Sequence, residues 1–265
     1  MSEWKDKVAV ITGAGSGIGA GLAAHALEQG MIVYGADVDE AGLAALAGDT
    51  RSDRLHCVTL NVTREDTVDA LAERVFKEHG QVNLLFNNAG VLVDGKSWER
   101  TVTDWRWILE VNVMGVVNGI RAFVPRMLAQ GAPGRVVNTS SIGGLLAGGQ
   151  FMAPYQGTKH CVTAISESLY RELALESAPV TASVLCPGEV ATDIWRSDRL
   201  RTEAEQNTLG SAAEQAFHDA IAGSVDEGMS PKAFAALVFS GIEADRFWLI
   251  PQKDLKPLVQ VRYQG

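Results

Sequence analysis

Cysteine is scarce in this chain, and the few cysteines exclude two classes of site. Among 265 residues there are three, Cys57, Cys161 and Cys186, which lie far apart and form no C-x-x-C pair. Such a scattered, odd-numbered set gives no disulfide framework and suits a reducing compartment, so we expect a cytoplasmic protein. The five histidines form no H-E-x-x-H motif, and we therefore expect no metal site.

The sequence also has few positively charged residues and no long apolar runs. Lys and Arg number 23 against 32 Asp and Glu, which gives a formal net charge of −9. Nucleic acids and anionic membranes are bound by patches of Lys and Arg, so we expect neither as a partner. No uncharged apolar run approaches the roughly 18 residues of a membrane span, and residues 1–7 lack the apolar core of a signal peptide.

Apolar residues, in contrast, are abundant and regularly patterned. They make up 46% of the sequence, enough for one large core in a chain of this length. Short apolar runs alternate with segments of helical periodicity, and no repeat or linker interrupts them. This alternation predicts an α/β fold in which helices cover both faces of a parallel sheet.

A glycine-rich segment follows the first apolar run, Val8–Ile11. Its glycines stand at alternate positions, Gly13, Gly15, Gly17 and Gly19. Without Cβ atoms the backbone turns tightly and approaches a pyrophosphate, and the following helix offers its N-terminal N–H groups to the anion. We expect a dinucleotide-binding turn. For this segment alone, a flexible loop or another nucleotide fold remains an alternative.

Asp37 ends the second apolar run, Met31–Ala36, and lies 18 residues after Gly19. An acid near this spacing accepts hydrogen bonds from the ribose of a dinucleotide and repels a 2′-phosphate. Neither Val38 nor Ser16 supplies the cation that NADP needs, so the pattern favours NAD. The alternative is that Asp37 only begins a turn and caps the next helix.

Tyr155 and Lys159 stand four residues apart, where an amphipathic stretch from Thr158 to about Glu176 begins. Residues at this spacing share one face of a helix. A lysine cation lowers the pKa of a neighbouring phenol, which then acts as a general acid/base at a hydroxyl or carbonyl. Ser141, which ends the strand predicted from Gly134, could hydrogen-bond the same substrate oxygen. Alone, such a pair is common by chance and usually lies on a helix surface.

The stretch from Val102 to about Leu128 predicts a long helix that is apolar on more than one face. Such a helix is buried on both sides. One side can pack on the sheet, and the other on a second subunit, so we expect a homo-oligomer, a dimer or tetramer. Asn112 is a polar exception in this helix. From the sequence alone it is a core amide bonded to backbone.

Together these motifs resemble the short-chain dehydrogenase/reductase family over roughly residues 5 to 192. The matching segments are T-G-x-x-x-G-I-G at Thr12–Gly19, N-N-A-G at Asn87–Gly90, the serine pair ending at Ser141, Y-x-x-x-K at Tyr155–Lys159, and P-G-x-V-x-T at Pro187–Thr192. The resemblance implies one Rossmann-type domain over residues 1–265, a three-layer sandwich with a seven-stranded parallel sheet. Residues 193–228 would form a lid on the substrate side, and residues 251–265 stay unassigned.

The resemblance also implies roles for individual residues. The catalytic residues would be Ser141, Tyr155 and Lys159, with Asn112 holding a water in a proton relay. The cofactor-binding residues would be Gly13, Ser16, Gly17, Ile18, Gly19, Asp37, Asn61, Val62, Asn88, Tyr155, Lys159, Val190 and Thr192. Of these, Asn61 and Val62 would touch the adenine, and Val190 and Thr192 would face the nicotinamide carboxamide.

The function expected is NAD-dependent interconversion of a small-molecule secondary alcohol and its ketone. The expected pocket walls are apolar and suggest a cyclic or aromatic substrate. They comprise Leu92, Val93, Leu145, Leu146, Phe151, Met152 and Trp195. One alternative is an NADPH-dependent 3-oxoacyl thioester reductase, against which Asp37 argues. Another is a non-catalytic NAD-binding scaffold, which would not need Ser141, Tyr155 and Lys159 together.

Overall fold

A seven-stranded parallel sheet forms the centre of the computed structural model, which describes residues 3–146, 148–206, 208–255, 257 and 259. The strand order is β3-β2-β1-β4-β5-β6-β7. The strands are β1 Val8–Thr12, β2 Ile32–Asp37, β3 Leu55–Thr59, β4 Leu84–Asn87, β5 Gly134–Thr139, β6 Val180–Leu185 and β7 Trp248–Leu249. The expected seven-stranded, single-domain Rossmann-type fold is therefore confirmed.

Helices cover both faces of this sheet. They are α1 Gly17–Glu28, α2 Glu40–Thr50, α3 Glu65–His79, α4 Val102–Leu109, α5 Gly115–Ala129, α6 Ala153–Leu173, α7 Ala212–Asp226 and α8 Pro231–Glu243. Short helical turns span Ile142–Gly144, Ile194–Leu200, Glu203–Glu205 and Lys253–Leu255. Five π-helical residues, Glu110–Met114, join α4 to α5, so the predicted long helix is continuous but not regular.

Two apolar clusters, one on each face of the sheet, explain why the strands read as unbroken apolar runs. In β1, Val8 and Val10 pack in the cluster with α3, α5 and α6, whereas Ala9 and Ile11 pack in the cluster with α1, α2 and α8. A parallel strand buried on both faces needs apolar residues at every position. The sheet order reverses between β1 and β4, and ligands bind such folds in the crevice at this point.

Two predicted helix starts differ from the structure. The predicted start of α6 at Thr158 is wrong, because α6 begins at Ala153 with Pro154 in its first turn, where proline costs no hydrogen bond. Tyr155 therefore lies on the helix itself. Thr63 and Asp66, from their residue types, predict a capped start of α3, but Arg64 is the N-cap residue and makes no side-chain cap.

One helical stretch of the described chain, Val102–Ala129, is long and apolar enough to meet a composition test for a membrane span, with a mean hydropathy of 1.3. Of that window, 56% is buried inside the protein, and Phe123 and Met127 belong to the core. Core packing therefore accounts for this helix.

Residues 251–265, for which the sequence indicated no role, are described only in part. Near the start of this tail, the Gln252 Oε1 accepts a hydrogen bond from the Gly188 N–H at 3.1 Å. The Gln252 amide in turn donates to the Glu189 carbonyl at 2.9 Å. The start of the tail therefore packs on the Pro-Gly turn of its own chain.

Candidate active site

A cavity of about 1080 Å³ lies at the carboxyl ends of the strands and brings the predicted site residues together. The residues of the predicted site that line it are Gly13, Ser16, Gly17, Ile18, Gly19, Asp37, Asn61, Val62, Asn88, Ser141, Tyr155, Lys159, Val190 and Thr192. Asn112 is the predicted residue that does not line the cavity. We refer to this cavity as the cleft.

The glycine-rich turn forms one end of the cleft. Gly13 and Gly17 have φ angles of +69° and +52°, a region that favours glycine. A Cβ atom on Gly19 would lie 1.9 Å from the Gly13 carbonyl oxygen, so only glycine permits this packing. Ser16 is the N-cap residue of α1 and makes no side-chain cap. The first N–H groups of α1 are therefore available to an anion such as a pyrophosphate.

The Asp37 carboxylate lines the cleft beside this turn. Its Oδ2 accepts a hydrogen bond from the Gly15 N–H at 2.8 Å, and its Oδ1 accepts one from the Asp39 N–H at 2.9 Å. The cap of α2 is Asp39, which accepts from the Gly42 N–H at 3.0 Å, so Asp37 does not cap this helix. Each carboxylate oxygen keeps lone pairs for ribose hydroxyls.

Asn61 and Val62 follow β3 and also line the cleft. The Asn61 Oδ1 accepts a hydrogen bond from the Thr63 N–H at 3.0 Å, and the Val62 carbonyl accepts one from the Asn118 amide at 2.9 Å. These bonds fix the backbone of the pair, so that both residues border the cleft. Their contact with adenine stays a prediction.

The amide of Asn88 ties the ends of three strands together. Its Nδ2 donates to the Thr12 carbonyl at 3.0 Å, and its Oδ1 accepts from the Thr139 hydroxyl at 3.3 Å. The Thr12 hydroxyl in turn accepts from the Asn88 and Ala89 N–H groups at 3.0 and 3.1 Å. Asn88 therefore holds the floor of the cleft, and a direct cofactor contact stays a prediction.

Val190 and Thr192 lie on the segment after the Pro-Gly turn. A parallel bridge joins Val190 to Met229 through hydrogen bonds of the neighbouring residues Glu189 and Ala191. The N–H and carbonyl of Val190 itself therefore point to the opposite side of this bridge. A Cβ atom on Gly17 would lie 2.7 Å from the Thr192 methyl group, so this segment closes directly over the glycine turn.

Ser141, Tyr155 and Lys159 meet in the middle of the cleft. Ser141 follows β5 and is anchored by the Gly143 N–H, which donates to its Oγ at 3.0 Å. Tyr155 and Lys159 lie one turn apart on α6, and the Lys159 Nζ is 5.6 Å from the Tyr155 ring centroid. Lys159 is only 2% exposed, and its ammonium donates to the Thr139 carbonyl at 3.0 Å.

Ser140, the neighbour of Ser141, has a different role. Its hydroxyl donates to the Lys159 carbonyl at 2.8 Å and contacts the Thr163 hydroxyl at 2.8 Å. A Cβ atom on Gly144 would lie 2.2 Å from the same Ser140 oxygen. These contacts fasten β5 to α6, which favours Ser141 as the hydroxyl that meets a substrate.

The predicted lowering of the Tyr155 pKa is wrong for the chain alone. Burial raises the pKa of Tyr155, and a hydrogen bond with Ser141 acts in the opposite direction. Burial also lowers the pKa of Lys159 to about 8. The sequence showed the spacing of the two groups but not their exclusion from water, which disfavours both charged forms.

Asn112 lies behind the cleft in the π-helical turn. Its Oδ1 accepts from the Val91 N–H at 2.8 Å, and its Nδ2 donates to the Val91 carbonyl at 2.9 Å and the Thr158 hydroxyl at 3.1 Å. It is thus a core amide that joins the segment after β4 to α6, next to Tyr155. The water-holding role of Asn112 stays a prediction.

The expected apolar walls are partly correct. Leu92, Leu146 and Met152 line the cleft, whereas Val93 and Leu145 are buried in the core. Two aromatic residues expected in these walls lie elsewhere. Phe151 packs edge-on against Phe217, and Trp195 packs against His218 and donates to the Asp226 carboxylate.

Several residues that line the cleft are not among those that the sequence motifs indicate. Trp107 of α4 and Val111 of the following π-helical turn line it, and so do Phe217, Ile221 and Val225 of α7. In each helical stretch these side chains are four residues apart and therefore share one face. This spacing can be read in the sequence, but it is obscured by apolar residues on the other faces of the first stretch and by the polar neighbours of Phe217 in α7. Within the described part of residues 193–228, the helical segments are Ile194–Leu200, Glu203–Glu205 and Ala212–Asp226. Their action as a lid stays a prediction.

Comparisons with known proteins agree with this geometry. A profile described as short chain dehydrogenase matches residues 7–203. A solved structure titled as a short chain dehydrogenase/reductase from Burkholderia phymatum in complex with NAD is 37% identical, with a TM-score of 0.94, and the match covers 100% of this chain and 95% of that one.

Two named enzymes are also similar. The 1-deoxy-11-beta-hydroxypentalenate dehydrogenase of Streptomyces exfoliatus is 34% identical, over 94% of this chain and 84% of its own. The C alpha-dehydrogenase of Sphingobium sp. strain SYK-6 is 31% identical, over 100% of this chain and 87% of its own.

The parallel sheet, glycine turn and Tyr-Lys helix define an oxidoreductase that binds a nicotinamide cofactor. More specifically, the chain belongs to the short chain dehydrogenase family.

Proposed function

We propose that the protein interconverts a secondary alcohol and its ketone with NAD as cofactor. The observation that carries this proposal is the meeting of Ser141, Tyr155 and Lys159 in one cleft with the glycine turn and Asp37. A non-catalytic NAD-binding scaffold would require the glycine turn and Asp37 but not the other three groups.

The residues that line the cleft fit a nicotinamide dinucleotide. The uncapped N-terminus of α1 would hold the pyrophosphate, and Asp37 would accept hydrogen bonds from the adenosine ribose. Next to Asp37 stand Val38 and Asp39, neither of which could pair with a 2′-phosphate. The NAD bound in the similar Burkholderia phymatum structure supports the same preference for NAD over NADP.

The catalytic steps follow from the positions of three side chains. When bound, the nicotinamide supplies the hydride acceptor for oxidation or the donor for reduction. Tyr155 accepts the proton of the substrate hydroxyl in oxidation and returns it to the carbonyl oxygen in reduction. Ser141 donates a hydrogen bond to that same oxygen. The Lys159 ammonium, 5.6 Å from the Tyr155 ring centroid, would favour the phenolate in the complex and so oppose the burial that raises the Tyr155 pKa in the chain alone.

The substrate that suits the cleft is apolar around its carbinol carbon. The side chains facing this region include Leu92, Trp107, Val111, Met152 and Phe217, which would bury a ring by the hydrophobic effect. The names of the two similar dehydrogenases, one for a hydroxypentalenate and one for a Cα position, support a cyclic or aromatic alcohol. The three free thiols support a cytoplasmic location.

The test is a cofactor and substrate panel read by nicotinamide absorbance. NAD and NADP are offered separately with cyclic carbinols, aryl carbinols and 3-hydroxyacyl thioesters. Oxidation of the carbinols with NAD, at a kcat/KM at least about tenfold above that with NADP, is the expected result. Turnover of thioesters alone, with NADP, would replace the proposal by the thioester reductase. No turnover despite tight NAD binding would indicate a scaffold.

A further inference from the structure

One face of α4 and of the π-helical turn that continues it forms the outer wall of the cleft. The side chains on this face are Thr103, Arg106, Trp107, Glu110 and Val111. Trp107 and Val111 pack against the same small apolar cluster as Tyr155, so this part of the helix is close to the reacting centre. Arg106 lies five residues before Val111, which corresponds to about 7.5 Å along the helix axis.

The Arg106 guanidinium is available to bind an anion in the cleft. Within the described chain its guanidinium has neither a hydrogen bond nor an ion pair, and its side chain is exposed. Glu110, one helical turn further on, lines the cleft as well but stays more than 4.0 Å from the Arg106 guanidinium. The planar fork of arginine is suited to bind a carboxylate through two parallel hydrogen bonds.

Arg199 lines the cleft from the turn Ile194–Leu200 and borders a smaller neighbouring cavity. Its Nη1 donates to the carbonyls of Asp193 and Arg196 at 3.0 and 3.1 Å. These two bonds anchor the guanidinium and leave its Nε and Nη2 for a ligand. The Asp193 carboxylate is engaged elsewhere, because it lies 3.5 Å from the Arg196 Nη1.

We propose that the substrate carries a carboxylate remote from its carbinol carbon, and that Arg106 and Arg199 bind this carboxylate. The proposal rests on the proposed function and specifies its substrate class. A chain with a net charge of −9 repels anions at long range, so an anionic substrate needs local cations. Lys159, a third cation in the cleft, is buried beside Tyr155 and does not reach this outer region.

The experiment offers each aryl or cyclic carbinol in two forms, as a carboxylic acid and as its methyl ester. One such pair is 4-(1-hydroxyethyl)benzoate and its ester. For every oxidised pair, the ratio of kcat/KM for the acid to that for the ester is measured. We expect a ratio of about ten or more in the original protein, since charge-assisted hydrogen bonds in a partly enclosed site have this strength.

Two variants test the arginines, and a third is the matched control. Arg106→Gln and Arg199→Gln should each lower the acid-to-ester ratio about five- to tenfold. Arg171→Gln removes an exposed positive charge from the last turn of α6. Its side chain does not line the cleft and forms no ion pair with a described residue, so this variant should retain the ratio. The ratio should also fall as salt is raised.

The outcomes separate this inference from the function beneath it. Oxidation of the esters with a ratio near one, unchanged in Arg106→Gln and Arg199→Gln, would overturn the carboxylate proposal and leave the dehydrogenase intact. If Arg106→Gln and Arg199→Gln lost the oxidation of 3-hydroxybutyryl-CoA but kept the preference for the acid over the ester, the arginines would bind the phosphates of a thioester. That result would also overturn the proposal. If no carbinol in either form were oxidised, the proposed function itself would fail.

Discussion

Lys159 is a cation with a carbonyl for a partner and, among the described residues, no carboxylate. It is 2% exposed, and burial lowers its pKa to about 8. An uncompensated buried charge destabilises the folded state. Lys159 therefore destabilises the folded protein while its charge serves the chemistry of the site, as is common for active-site residues.

Replacing Lys159 should show by how much its buried charge lowers the free energy of unfolding. Because its folded pKa lies below the 10.5 of an exposed lysine, the unfolded chain binds more protons between about pH 8 and 10.5, and stability rises with pH across that window. The penalty is fully present below pH 8. At pH 7, Lys159→Met should therefore raise the free energy of unfolding without cofactor, by at most about 3 kcal/mol, while losing activity.

Urea unfolding of both proteins from pH 7 to pH 10 checks this expectation. The difference between them should shrink as pH rises from 8, since the original lysine is then increasingly neutral in the folded state. In the folded protein Cys186 stays protonated across this range, because burial raises its pKa to about 12, and its titration in the unfolded chain is common to both proteins. Equal stability at every pH would contradict the account of Lys159.

Among the elements, the glycine turn and α1 depend on close packing that a single methyl group disrupts. A Cβ atom at position 19 would overlap the Gly13 carbonyl oxygen and lie 2.7 Å from the Asn88 amide. Gly19→Ala should therefore cost about 2–3 kcal/mol of stability and weaken NAD binding. Thermal unfolding and calorimetric titration with NAD measure the two effects.

Gly48→Ala is the matched control for this substitution. Gly48 lies within α2, and a Cβ atom there would meet nothing within 4 Å. Alanine should raise stability by up to about 1 kcal/mol because it restricts the unfolded chain. NAD affinity should not change. Equal behaviour of the two alanine variants would show that the turn tolerates a side chain.

Some features of the site could be predicted from the sequence of single helices and strands, and others could not. Asp37 and the Tyr155–Lys159 pair could be identified because each stands at a fixed spacing from a strand end or along one helix. The partners of Asn112 could not, since Val91 is 21 residues away in the chain and meets it only in the fold. The Tyr155 pKa was predicted in the wrong direction for the same reason, because burial depends on packing between distant segments.

At the scale of the whole molecule, the helix from Val102 to Ala129 leaves apolar side chains uncovered. Leu109 and Met114 are 42% and 40% exposed, although the opposite face of the helix lies in the core. Exposed apolar side chains on an otherwise buried helix are typical of subunit interfaces. We therefore predict that the protein forms a homo-oligomer, a dimer or tetramer, through this helix.

Negative charges introduced by substitution on the exposed apolar face of this helix should separate the subunits. Leu109→Glu combined with Met114→Glu should convert the oligomer to smaller species, as measured by sedimentation velocity. Leu175→Glu, at a side chain that is 86% exposed after the end of α6, controls for added negative charge and should leave the mass unchanged. A monomeric original protein, or an oligomer that survives both charges, would contradict this assignment of the interface.

The central claim is that Tyr155 transfers the substrate proton in an NAD-dependent oxidation. The most direct test measures carbinol oxidation by nicotinamide absorbance in Tyr155→Phe, together with NAD affinity by calorimetry. Removing the hydroxyl while keeping the ring should lower kcat about 10²- to 10⁴-fold and leave the dissociation constant for NAD within about threefold. If Tyr155→Phe oxidised the carbinol at the original rate, Tyr155 would not be the acid/base and the account of the site would be wrong.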